Sequence, residues 1–185
     1  MTDSIEFPVE GITDRSIRIR LGADADTAAI VAACQDPEIP RWTRVPEPYD
    51  EETAAEWAVE SKRQQESGTG LHLVIVDAET DDILGSIGIQ EIERDEGRCD
   101  IGYFLAPEAR RRGVMTSAVR LLGRWVFDNL PVERVQIKIQ QQNAASRAVA
   151  ERAGYTFEGV LRSHTVIKGR RCDMAMYSLL RRELQ

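Results

Sequence analysis

The residues with the clearest chemical potential lie between a predicted strand and a predicted helix: Arg110-Arg111-Arg112-Gly113-Val114-Met115-Thr116. The first turn of a helix has free N–H groups and the positive end of the helix dipole, so it can bind phosphate. Gly113 lets the backbone approach a ligand closely, and Thr116 or Ser117 adds a hydroxyl. Three arginines oppose the helix dipole unless an anion offsets them. The run therefore favours a phosphate-binding site over a basic loop that only faces solvent.

This run differs from the known nucleotide-binding loops. The chain has neither G-x-x-x-x-G-K-[ST] nor G-x-G-x-x-G. It has two histidines and three widely separated cysteines, and none of them shows metal-ligand spacing. We therefore expect a phosphate-bearing ligand and no metal.

Hydrophobic periodicity predicts the elements that position the run. A stripe of apolar residues predicts a helix from about 113 to 129, after a strand over 98–105 and before an alternating strand over 135–139. Asn143 is predicted to cap a short helix that runs to Ala153, and the proline-rich segment 36–49 is predicted to be a loop. The whole order predicts an α/β fold, with a mixed, mostly antiparallel sheet of about seven strands flanked by about four helices.

The bulk properties restrict the class of protein. With 185 residues, 42% hydrophobic and 30% charged, we expect a single domain over residues 1–185, with its globular part at about 16–182. The net charge of −7 argues against nucleic acid as a partner. No apolar run approaches eighteen residues, so no membrane partner is expected, and Met1–Glu10 lacks the basic start of a secretory signal. We expect a soluble protein in a reducing cytoplasm.

Three blocks of sequence resemble the GNAT acetyltransferases, in particular the branch of ribosomal-protein N-terminal acetyltransferases. They are Asp100–Leu105 followed by Arg110 and Gly113; Asn143–Arg147 with Ala153–Tyr155 and Glu158-Gly159; and Gly169–Met174 leading to Tyr177–Leu179. Their order and spacing together carry the likeness, which covers about residues 17–180. Two positions depart from the family pattern: Met115 stands where glycine or alanine is usual, and Arg111 where this branch often has glycine. A larger side chain at Met115 is expected to narrow the pyrophosphate pocket.

The resemblance implies the GNAT fold, acetyl-CoA as co-substrate and a primary amine as acceptor, either a protein N-terminus or a small molecule. It places the pantetheine arm in a gap between the predicted strands at 103–105 and 137–140, held by backbone groups near Phe104 and Leu105. The remaining coenzyme contacts are expected at Arg110, Arg111, Arg112, Gly113, Val114, Met115, Thr116, Asn143 and Ser146. Ser146 matches the family position that can protonate the leaving sulfur, and plain contact with the coenzyme is the equal alternative.

The general base is open at this point. Asp100 lies near the start of its strand, where relatives often place a glutamate, and is the first candidate. Glu91, His164 or a water molecule is the alternative, although His164 reads more simply as a half-exposed strand residue. A sensor that binds acyl-CoA without turnover is the competing function, and edge strands or the C-terminal hairpin are candidate surfaces for a homodimer.

Overall fold

The structure is a computed structural model that describes residues 4–184. The first three residues of the N-terminal segment discussed above lie outside the described part. Within residues 4–184, no helix has the length and apolar character needed to cross a membrane.

Eight strands and five helices are present in the described chain. The strands are Ile12–Thr13 (β1), Ile17–Leu21 (β2), Leu71–Asp77 (β3), Ile83–Glu93 (β4), Arg98–Leu105 (β5), Arg134–Gln140 (β6), Thr156–Ile167 (β7) and Arg170–Leu180 (β8). The helices are Thr27–Cys34 (α1), Glu38–Trp42 (α2), Glu51–Ser67 (α3), Val114–Asn129 (α4) and Ala144–Ala153 (α5). The strands form one sheet in the order β1-β2-β3-β4-β5-β6-β8-β7. The predicted mixed, mostly antiparallel α/β architecture is confirmed.

Two short elements account for the difference from the predicted counts. β1 has two residues, too few to show a period in the sequence. α2 lies inside the segment that its prolines marked as a loop, and that prediction was wrong for residues 38–42. Pro37 is the N-cap of α2 and Pro40 lies in its first turn, where backbone N–H groups have no partner within the helix. The prolines therefore cost this helix no hydrogen bond.

The two faces of the sheet carry separate apolar clusters. The larger cluster packs α4 and α5 against β2–β6 and β8, with Leu122, Val126 and Ile137 almost fully buried. The smaller one joins α1, α2 and α3 to the opposite face through Val74 and Val76. Packing begins earlier than the expected start near residue 16, because Ile5 and Phe7 are buried in the larger cluster.

Candidate active site

The sheet is split at its centre. Among the described strands, β5 and β6 form the one parallel pair, and they pair only from Arg98 with Arg134 to Asp100 with Gln136. Both strands continue beyond that point, to Leu105 and Gln140, but there β5 pairs only with β4 and β6 only with β8. The result is a gap that opens at Asp100 and widens toward the ends of the two strands.

Backbone polar groups of β5 line this gap. The Ala106 N–H donates to the carbonyl of Leu84 on the β4 side at 2.9 Å. Because alternate residues of an antiparallel strand face the same neighbour, Tyr103 and Leu105 direct their N–H and C=O groups toward β6. The gap therefore offers fixed donors and acceptors to an extended chain lying between the strands.

The loop between β5 and α4 places a helix N-terminus beside the gap. Gly113 is the N-cap of α4 with φ 82°, and no other described atom lies within 4 Å of the position that a Cβ would occupy there. Arg111 has φ 61°, a left-handed conformation that glycine adopts more readily. This conformation explains why glycine suits the position of Arg111, where the sequence departs from the family pattern. The N–H groups of Val114, Met115 and Thr116 belong to the first turn, which leaves such donors without helix partners.

The three arginines of this loop have different roles. Arg110 forms a salt bridge with Asp36 and donates to the Leu105 carbonyl at 3.1 Å. Its guanidinium thus ties the loop to the end of β5 and to the segment before α2, and it is not free charge aimed at a ligand. Arg111 and Arg112 are exposed and carry the positive charge at the rim.

Met115 does not narrow the site, contrary to the expectation from its size. Its side chain is 4% exposed and belongs to the larger core cluster, as does that of Val114. Both residues therefore have only their backbone available to a ligand. The sequence could not show this, because the side-chain direction depends on how α4 lies against the sheet.

Asn143 and Ser146 stand at the start of α5, across the gap from β5. The Asn143 Oδ1 accepts a hydrogen bond from the Ser146 N–H at 3.1 Å, so Asn143 is the N-cap that the sequence predicted. The Ser146 hydroxyl lies 2.9 Å from the hydroxyl of Tyr103. Burial raises the pKa of Tyr103 to about 12, so the phenol stays protonated at neutral pH. A hydroxyl pair therefore joins α5 to β5 over the gap.

Asp100 lies where the gap begins, and the residue as a whole is 6% exposed. Its Oδ2 is 2.6 Å from the Nζ of Lys138, and the same Nζ is 2.8 Å from Glu91 Oε2. Burial raises the pKa of Asp100 to about 6, although the Lys138 ammonium opposes that rise. A carboxylate with such a pKa is suited to take a proton near neutral pH.

A second opening lies at the wide end of the gap, between α2 and the β7–β8 hairpin. It has a volume of ≈ 400 Å³ and is lined by Arg41, Trp42, Gln140, Gln142, Arg170, Arg171, Cys172 and Asp173. The Lys168 ammonium donates to the Pro40 carbonyl at 2.8 Å, which fixes the hairpin turn against α2. His164 is exposed on β7, three strand positions from β5 and so about 14 Å away across the sheet.

Sequence reasoning missed three partners that the fold supplies. In the sequence, Lys138 is only a polar position in an alternating strand. Asp36 is one residue of a predicted loop, and Tyr103 is one residue of a block that resembles the family. No local pattern identifies them, since their partners are 38, 74 and 43 residues away in the chain. Within residues 4–184, no group of three or more His, Cys, Asp or Glu residues could hold a metal ion.

Comparison with known proteins agrees with this geometry. The family model described as an acetyltransferase (GNAT) domain matches residues 16–156. The uncharacterized N-acetyltransferase p20 of Bacillus licheniformis is 29% identical over 80% of this chain and 83% of its own length. YdaF of Bacillus subtilis, named as a candidate ribosomal N-acetyltransferase, is 36% identical over 55% of each chain.

The fold likeness extends to a solved complex. The microcin C7 self-immunity acetyltransferase MccE, in complex with acetyl-CoA and AMP, superposes with a TM-score of 0.85 at 22% identity, over 94% of this chain and 98% of that one. The family model itself covers most of the chain, from residue 16 to residue 156. The chain therefore belongs to the GNAT acetyltransferase family, whose members use acetyl-CoA as co-substrate.

Proposed function

We propose that this protein transfers the acetyl group of acetyl-CoA to a primary amine, on a protein N-terminus or a small molecule, by direct attack in a ternary complex. The gap between β5 and β6 carries the proposal, because it separates a phosphate-binding loop from the pocket beside α2. The two reactants would meet in the gap from opposite sides. Such an arrangement brings them together without a covalent enzyme intermediate.

Asp100 is the base in this proposal. The acceptor amine must be neutral when it attacks, and a carboxylate with a pKa of about 6 can accept its proton directly or through one water molecule. Glu91 is farther from the gap, because it lies on β4, which pairs with the edge of β5 that faces away from β6. His164 is two further strands from β6, so we assign it no catalytic role.

The rest of the reaction uses groups of β5 and α5. The amine nitrogen attacks the thioester carbon, and the oxyanion that forms accepts hydrogen bonds from N–H groups of β5 that face the gap. The C–S bond then breaks, and the leaving thiolate takes a proton from the Ser146 hydroxyl. Tyr103 supports that step, because its hydroxyl is within hydrogen-bond distance of Ser146. The proton taken by Asp100 returns to solvent, and Ser146 regains a proton from solvent, so that both groups are restored.

The test is amine-dependent release of the coenzyme thiol by the purified protein. The acceptors are small primary amines, peptides with a free α-amine and the same peptides with that amine blocked. Thiol release together with a gain of about 42 Da on the amine, the difference when one acetyl group replaces a hydrogen, supports the proposal. Binding of acetyl-CoA without release against every amine supports the sensor, and absence of binding contradicts both functions. Ser67→Ala, at an exposed position of α3, is the matched control for Ser146→Ala.

A further inference from the structure

One ammonium group links three strands on the face opposite α4 and α5. The Lys138 side chain extends from β6 across β5 to β4, and its Nζ is 2.6 Å from Asp100 and 2.8 Å from Glu91. The exposed fractions of these side chains rise from 9% at Asp100 to 21% at Lys138 and 52% at Glu91. A buried carboxylate is thus connected to a solvent-facing one through a single shared cation.

The cluster lies where β5 and β6 separate. Asp100 is in the last paired position, and Lys138 is two residues beyond its partner Gln136. The second carboxylate oxygen of Asp100, Oδ1, is buried and accepts no hydrogen bond from the residues that the structure describes. A buried acceptor without a partner is costly, so its presence calls for a reason, and a catalytic role is one such reason. Lys138 therefore holds one oxygen of Asp100 and leaves the other available.

Glu91 reaches this cluster through a distortion of β4. The register of β4 against β5 shifts between Gln90 and Glu93, and Glu91 has φ 49°, in the left-handed region. A side chain with a Cβ is strained in that conformation, and bulges of this kind redirect side chains next to active sites. The strained backbone at Glu91 therefore occurs at the residue whose carboxylate contacts the Lys138 ammonium.

We propose that Lys138 and Glu91 are positioning residues that act on Asp100 in opposite directions, and together set the pH range in which the protein accepts a proton from its amine substrate. The inference rests on the proposed acetyl transfer with Asp100 as base. Lys138 stabilises the Asp100 carboxylate, and Glu91 opposes that effect by its own charge and by sharing the ammonium.

The electrostatics of the surroundings agree with this division. Burial raises the pKa of Asp100, Lys138 lowers it, and Glu91 raises it. Hydrogen bonding to Lys138 lowers the pKa of Glu91. Other charged or titratable groups also interact with this cluster. They are Arg98 on β5, Arg134 on β6, the buried Cys99 thiol, Arg44 after α2, which acts on Glu91, and Glu93 on β4, which interacts with both Glu91 and Lys138. Lys138 alone contacts both carboxylates among these cations.

The experiment is the pH profile of kcat/KM for the wild type, Lys138→Met, Lys138→Arg and Glu91→Gln. Loss of the cation in Lys138→Met moves the acid limb to higher pH by about 1–2 units, and loss of the like charge in Glu91→Gln moves it to lower pH by up to about 1 unit. Lys138→Arg restores a limb close to that of the wild type. The inference fails if the acid limbs of Lys138→Met and Glu91→Gln move in the same direction, or if activity falls while neither acid limb moves. Either result would mean that Lys138 only holds the strands together.

A second measurement does not depend on turnover. The Asp100 carboxyl carbon is followed by NMR against pH in protein with 13C-labelled aspartate, and Asp100→Asn assigns the signal. Its midpoint moves up in Lys138→Met and down in Glu91→Gln if the inference holds, and a midpoint that neither variant moves overturns it. A wild type that releases no thiol with any amine contradicts the proposed function instead, and an Asp100→Asn variant that keeps the acid limb contradicts Asp100 as base.

Discussion

Replacing Gly113 with glutamate tests the phosphate-binding loop with a cost that can be worked out in advance. Apart from Gly113 and its chain neighbours, no described atom lies within 4 Å of the position of the new Cβ, so the Cβ itself meets no steric obstacle. The backbone at φ 82° is unfavourable for any residue with a Cβ, which costs about 1–2 kcal/mol of stability. Gly154, at the C-terminus of α5, has φ 96° and the same open surroundings. Gly154→Glu is therefore matched in strain and added charge, and it lies at the opposite end of α5 from Asn143 and Ser146.

The two variants should differ in coenzyme binding. A carboxylate about 6 Å from a phosphate repels each negative charge by about 1–3 kcal/mol for effective dielectric constants between about 80 and about 20. The Kd for coenzyme A should therefore rise about 5- to 150-fold in Gly113→Glu and remain that of the wild type in Gly154→Glu.

Calorimetric titration with coenzyme A provides the assay, and Gly113→Gln separates charge from bulk. The difference in Kd between the glutamate and glutamine variants should shrink as salt is raised, because salt screens exposed charges. If Gly113→Glu bound coenzyme A as tightly as Gly154→Glu and the wild type, the loop would not be the phosphate site, and the reasoning from the helix N-terminus would fail.

Three further changes test other parts of the structure. Met115→Ala should lower the free energy of unfolding by about 2–4 kcal/mol and leave the Kd for coenzyme A unchanged, because the side chain fills the core; denaturant titration and calorimetry check this. Ser146→Ala should lower kcat about 10²-fold and remove any effect of Tyr103→Phe, as a double-mutant cycle of turnover rates would show. Arg134 holds the pKa of Glu158 at about 2, below its ordinary 4.5, so this stabilisation is present above about pH 4.5 and is lost as pH falls toward 2. Since Glu158 is 38% exposed, Glu158→Gln should cost at most about 1 kcal/mol at pH 7 and nothing near pH 2, in urea titrations at each pH.

Local sequence signals predicted most of the elements correctly. The apolar stripe of α4, the capping residue Asn143 and the alternation of β6 all describe contacts within a few residues. They failed at α2, where two prolines hid a short helix whose first turn tolerates them. Periodicity shows which face of an element is buried, but not which distant residue it meets.

The loop at residues 110–116 shows the same limit of local sequence patterns within the site. Its position between a strand and a helix predicted a phosphate-binding turn, and Gly113 has the conformation and open space that such a turn requires. The salt bridge that ties Arg110 to Asp36 could not be predicted, because Asp36 lies 74 residues earlier in the chain.

The sequence by itself predicted the fold class from periodicity, the candidate loop from its position between a strand and a helix, and the family from the resemblance of three blocks in chain order. Only the tertiary structure decided the direction of Met115, the gap that opens at Asp100 and the joining of Asp100, Lys138 and Glu91. The physical reason is that the splitting of β5 from β6 and the bulge in β4 are properties of strand pairing. Pairing brings together residues 38 and 47 positions apart, and no local pattern contains that information.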